Sequence, residues 1–165
     1  MHTRVIKPRH GPELLVRPLR RGDVATVLAV FERLGDKSRR GRFHGPKPCL
    51  SHVELEQLAA IDESHHALVA YVAGDPHPIA IARLARTDQA TAEIAFAVAD
   101  SHQHRGIGSA LAAELIADAR AAGITEIVAL ASNDNPAVLA LLRRSADVLD
   151  VRFEGPELSI RAAIA

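Results

Sequence analysis

One cysteine, no net charge and no long apolar run are the scarcities of this sequence, and each closes off a class of function. A lone Cys49 has no partner for an internal disulfide, which argues against a disulfide-stapled scaffold and fits a reducing, cytoplasmic compartment. The 20 basic and 20 acidic side chains cancel. That balance argues against nucleic acid, where neutralisation of phosphates supplies most of the affinity. Unbroken apolar stretches such as 67–73 fall far short of the ~18–20 residues that span a bilayer, so no membrane partner is expected. The basic first residues have no apolar stretch behind them and do not read as a secretory signal. What is present is a chain of 165 residues, 48% of them hydrophobic. A domain of that size buries roughly 68–70% of its unfolded surface and needs neither disulfide nor metal to hold a core.

Residues 1–13 contain two prolines and a glycine without periodicity and read as a tail; 14–165 read as one domain. Leu14–Arg17 is a short strand. Asp23 caps a helix whose apolar face carries Val24, Val27, Leu28, Phe31 and Leu34, ended by Gly35. The stretch from Asp36 to Leu50, with Arg39, Arg40, Arg42 and two prolines, reads as loop. Ser51 and Glu54 have capping-box spacing and open a helix running to about Ile61. Three strands follow, 67–73, 78–85 and 92–99, separated by polar turns. Helices 106–122 and 136–145 then alternate with strands 126–131, 148–153 and 158–164. The order β-α-α-β-β-β-α-β-α-β-β predicts an α/β (α+β) fold, a mixed sheet covered by helices.

The strongest local signal is Gln103-His104-Arg105-Gly106-Ile107-Gly108-Ser109-Ala110. A strand ends just before it and an amphipathic helix starts inside it. Glycines there let the backbone approach an anion, and the free amides of the first helical turn point at it. Two readings fit, a pyrophosphate cradle and an ordinary strand-to-helix turn. It is not a P-loop, since no Gly-Lys-Ser/Thr follows, nor the dinucleotide fingerprint, since Leu111 stands where a third Gly or Ala belongs. Glu93 is the second signal. Alternation places Glu93, Ala95, Ala97 and Ala99 on one face of their strand and Ile94, Phe96 and Val98 on the other. A carboxylate on a central strand is expected to be buried, with its pKa raised and suited to accepting a proton. The other reading is a strand-start glutamate reaching solvent or pairing with Arg83 or Arg86.

With the later Asn135-Pro136-Ala137-Val138-Leu139, Gln103, Gly106 and Gly108 make the chain resemble the GNAT superfamily of N-acetyltransferases, whose acyl-CoA motif is Gln/Arg-x-x-Gly-x-Gly/Ala. The element order agrees over about 14–164. Leu15–Arg20, Ser38-Arg39, Arg42-Phe43, His65–Ala70 and Ala92–Asp100 are similar to the acetyltransferase domain of Pat-type protein lysine acetyltransferases. Such proteins usually carry a further regulatory domain, for which this sequence leaves no room, so its action is expected to be absent or supplied in trans.

The resemblance implies a mostly antiparallel mixed sheet flanked by helices. It also implies acetyl-CoA as cosubstrate, an amine acceptor (by the narrower resemblance a protein lysine), and Glu93 as general base. Gln103 to Ala110 would hold the pyrophosphate, backbone amides at Phe96 and Val98 the pantetheine chain, and Asn135 would contact the cofactor or cap its helix. Many members place a tyrosine, the acid for the leaving thiolate, where this chain has Leu142; the only tyrosine here is Tyr71. Ala146-Asp147 likewise stands where Gly-Phe is frequent. No metal is expected, because His102 and His104 lack further ligands in a suitable spacing. Those two could touch phosphate, His65 and His66 could line the acceptor site, and Arg39, Arg40 and Arg42 read as a solvated basic loop. A small-molecule amine acetyltransferase and a non-catalytic acyl-CoA sensor remain as alternatives.

Overall fold

Strand alternation and turn chemistry build the centre of the sheet. The computed structural model describes residues 2–8, 10–133 and 135–164; the bounds drawn from sequence also include Met1, Arg9, Asp134 and Ala165, which lie outside the described residues. The strands are β1 (Arg4–Ile6), β2 (Leu14–Pro18), β3 (His65–Val72), β4 (Pro78–Arg86), β5 (Thr91–Val98), β6 (Glu126–Ser132), β7 (Asp147–Glu154) and β8 (Glu157–Ala163). The helices are α1 (Val24–Glu32), α2 (Asp36–Phe43), α3 (His52–Leu58), α4 (Ile107–Ala121) and α5 (Pro136–Ser145). One sheet runs β1-β2-β3-β4-β5-β6-β8-β7. Every neighbour is antiparallel except β5 and β6. A parallel neighbour needs a crossover, and α4 supplies it.

The sheet separates two cores. On one face Ile107, Leu111, Leu115, Ile116 and Ala119 of α4 pack with Ile94, Ile127, Ala129, Leu158 and Ile160, and with Leu142 of α5. On the other, Val27, Val30 and Leu34 cover Ala67, Val69, Ile81 and Ala97. The parallel ladder between β5 and β6 ends at Ile94 and Ala129. Beyond it β5 keeps only β4, to Val98, and β6 keeps only β8, to Ser132. The two strands part and leave a mouth in the middle of the sheet.

Both expected caps form. The Thr26 N–H donates to Asp23 Oδ1 at 3.1 Å, and Ser51 with Glu54 makes a full capping box. Four expectations need correction. Residues 36–43, expected as loop, form α2. Gly35 caps that helix rather than ending α1, which stops at Glu32, and Asp36 at its start with Arg40 and Arg42 at its end complement the helix dipole. Phe43 then docks edge-on against Phe31 at 5.7 Å, and Arg39 stacks over Phe31 at 4.3 Å. The helix opened by Ser51 stops at Leu58, short of Ile61. Within the expected tail, Arg4–Ile6 adds an edge strand to β2, and Arg4 pairs with Glu114 at 2.7 Å and with Asp118 on α4. His66 reaches the same Asp118 at 2.9 Å, so a charge cluster fastens the edge to the crossover helix.

Leu115 is fully buried between α4 and the sheet. Replacing it with alanine is expected to cost about 2–5 kcal/mol, read as a lower urea midpoint with an unchanged slope.

Candidate active site

The mouth between β5 and β6 is closed at one end by the start of α4. After β5, a 3-10 turn at Asp100–His102 leads into Gln103, His104 and Arg105, and Gly106 is the N-cap. His104 and Gly106 have left-handed backbone, φ 60° and 77°. The N-cap makes no side-chain bond and the first turn carries no acidic residue. The first-turn amides of Ile107, Gly108 and Ser109 thus have no carbonyl partner within the helix, while the Ala110 N–H closes onto the Gly106 carbonyl at 3.0 Å. Gly108 sits where α4, α5 and β5 converge: a Cβ there would touch Leu141 and Val98 at 3.6 and 3.7 Å. The N-terminal segment lies against this loop so closely that a Cβ on Gly11 would stand 2.6 Å from the Arg105 carbonyl. His104 and Arg105 are exposed. Burial, then the cations of Arg33 and Arg105, lowers the His102 pKa below the ordinary histidine value.

Gln103 holds the scaffold together. Its side-chain amide donates to Ser38 Oγ at 2.9 Å, the Val98 carbonyl at 3.0 Å and Asp100 Oδ1 at 3.3 Å. That single side chain joins α2, the end of β5 and the 3-10 turn. Asp100 also packs on Gly35, where a Cβ would lie 2.5 Å from Oδ2. Asn135 takes the N-cap position of α5 without a side-chain cap bond. It faces α2 instead, with Nδ2 3.8 Å from the place of a Cβ on Gly41.

Glu93 is in register with Ala85 of β4 and Val128 of β6, just before the ladder ends. The alternation holds through the strand, with Ile94, Phe96 and Val98 packed with the α4 core and Ala97 with the opposite one. Ala99, expected on the Glu93 face, joins the α4 core instead, because the strand ends at Val98 and the chain turns there. The expected burial does not hold. Glu93 is exposed, because the helices on its face cover β3, β4 and the end of β5 and leave the start of β5 open.

Beside it is a small cleft whose apolar walls include Phe31, Phe43, Leu58 and Ile81. Two arginines enter it, Arg83 from β4 and Arg42 from α2. Arg42 corrects the reading of a solvated basic loop, since α2 turns it inward. The spacing of Arg39, Arg42 and Phe43 on either side of a helical turn was the available signal. The histidines do not converge here: His65 bonds Asp62 and His66 bonds Asp118 on the α4 side. Among the described residues no cluster of three or more His, Cys, Asp or Glu could hold a metal.

Comparison with known proteins agrees with this arrangement. Residues 31–146 match the acetyltransferase (GNAT) family. Over 143 residues the chain is 32% identical to Acetyltransferase Pat of Mycolicibacterium smegmatis, which covers 84% of this chain and 42% of that protein. It is 32% identical over 132 residues to Acetyltransferase PA5475 of Pseudomonas aeruginosa, covering 78% of this chain and 71% of that one. Among solved structures, the GNAT domain of S. lividans PAT superposes with a TM-score of 0.86 at 26% identity, over 98% of this chain and 96% of that chain. The chain therefore spans less than half the length of the Pat relative.

Gly106 has open space for a methyl group apart from Pro8 at 3.6 Å, but its φ of 77° disfavours any side chain. Gly106→Ala is expected to destabilise the protein by about 1–2 kcal/mol through backbone strain alone, measured by chemical denaturation.

Proposed function

The chain belongs to the GNAT family of acetyltransferases, which move an acetyl group from acetyl-CoA to amines, and on that premise we propose that its acceptor is a protein lysine and that Glu93 is the general base. The residues at the mouth fit acetyl-CoA. The α4 amides have neither a side-chain cap nor an acidic neighbour, and residues 95–98 of β5 have no partner strand on the β6 side. Gln103 to Ala110 would hold the pyrophosphate and the backbone near Phe96 and Val98 the pantetheine, with Gln103 acting by fixing the loop. Bound there, acetyl-CoA supplies the thioester carbonyl that the amine attacks.

The task left to the protein is a proton. An alkylammonium has a pKa near ~10.4, so on the order of one amine in a thousand is nucleophilic at neutral pH. The Glu93 carboxylate, exposed at the edge of the apolar cleft, takes that proton directly or through water. The leaving side needs less help, since a thiol of pKa near ~8.5 departs readily as thiolate. That matches Leu142, which is fully buried in the core and offers no acid. Tyr71 is engaged elsewhere, accepting from Arg17 at 2.6 Å.

The observation that carries a macromolecular acceptor is the open sheet face next to Glu93. Its neighbour Val128 begins a shallow polar depression with Asp150, Arg152, Ser159 and Arg161 across β6, β8 and β7, where a protein surface can lie while its lysine reaches the cleft.

Labelled acetyl-CoA incubated with a cell extract tests this. Label is expected on protein lysines, and Glu93→Gln should lower kcat by about 10²–10⁴ while CoA affinity is kept. Label confined to small molecules would overturn the lysine acceptor; CoA binding without any transfer would point to a sensor.

A further inference from the structure

Arg42 and Arg83 are the charged groups of the cleft that base catalysis does not use. On β4, Arg83 pairs with Ala95, two residues along β5 from Glu93, so the Arg83 and Glu93 side chains are diagonal neighbours on one face. Arg83 Nη1 is buried and has no hydrogen-bond partner among the described residues, and Nη2 reaches only the Gln57 carbonyl at 3.4 Å. Arg42 makes no salt bridge among the described residues; its guanidinium lies over the Phe43 ring at 5.0 Å. Burial pushes the Arg42 pKa down, with Glu93 opposing, and burial together with the Arg42 cation pushes Arg83 down to about 10. Both are cations at neutral pH. Two guanidiniums thus line one apolar cleft, with the Glu93 carboxylate exposed beside it, and a buried guanidinium N–H left without a partner is costly.

We propose that Arg42 and Arg83 form a carboxylate subsite of the acceptor cleft, so that the preferred acceptor is an amine bearing a carboxylate close to its nucleophilic nitrogen. The orphaned Nη1 and the planar fork of each guanidinium suit two-pronged binding of a carboxylate. In a protein the carboxylate comes from an acidic residue flanking the lysine; in a small acceptor it belongs to the molecule itself. This inference rests on Glu93 as the base, which places the amine beside the two arginines.

The test is acetyl transfer to two matched acceptor pairs, lysine peptides flanked by Glu or by Gln, and a free amino acid or its amide. The carboxylate member of one pair should be favoured at least about tenfold in kcat/KM, and which pair responds identifies the source. In Arg83→Met that preference should fall to within about twofold, through KM rather than kcat. The variant should melt no lower than the native protein, because it removes a half-buried cation with an orphaned N–H. If it does melt lower, Arg83→Lys, which keeps the charge and loses the fork, should still reduce the preference. Equal kcat/KM within both pairs, with transfer still dependent on Glu93, would overturn the subsite and leave the base in place. Transfer indifferent to Glu93→Gln would overturn both.

Discussion

The parallel ladder between β5 and β6 stops at Ile94 and Ala129, and the rest of the site depends on that stop. Each strand is held past this point by its outer partner, β5 by β4 and β6 by β8, so the inner edges part without either strand losing its place. Ligands of α/β sheets gather at the carboxyl ends of parallel strands, where the chain must leave the sheet and a helix begins. This sheet has a single parallel pair, hence a single such place. The crossover forced by that pair brings the positive end of α4 to it, and Glu93 precedes the last rung by one residue. The uncapped start of α4, the open strand edge and the Glu93 carboxylate come together through one topological event.

The layer over the other face is secured to the same point. Gln103 bridges Ser38 of α2, the last carbonyl of β5 and Asp100, while Asp100 fills the space beside Gly35. Movement of α2 would therefore disturb the loop that precedes α4, and a change in that loop would disturb Arg42. The helix carries little apolar surface of its own. Its position rests on Phe43 against Phe31, on Arg39 stacked over the same ring, and on these polar links.

This also explains which parts of the molecule were legible beforehand. Strands β3 and β4 are continuous apolar runs buried on both faces, α4 has a strong helical period, and the glycines of the α4 loop stand between a strand end and a helix start, a pattern that sequence alone displays. Helix α2 has no apolar stripe, so periodicity could not find it, and its arginines resembled a solvated loop. Strand β1 is three residues long and is held by side chains of α4 more than 100 positions away, a contact no local pattern encodes. The exposure of Glu93, one of two readings the sequence allows, could not be chosen for a related reason. Alternation assigns a residue to a face, but cover depends on where the helices of another layer end.

The charges of the cleft bear on the chemistry as well as on recognition. On the proposed function an acceptor amine arrives mostly as its ammonium, and next to Arg42 and Arg83 that form would be disfavoured by like charge, which would lower the amine's own pKa and leave less work for Glu93. Repulsion alone would also keep the acceptor out. On the proposed reading a carboxylate on the same acceptor lowers that obstacle, because it offsets one of the two positive charges and leaves the other to disfavour the ammonium, whose proton would go to the glutamate. With Leu142 offering no acid to the leaving group, the proposed chemistry concentrates the protein's contribution on the nucleophile, and on that proposal the two arginines and one glutamate would divide it between attracting the acceptor and deprotonating it.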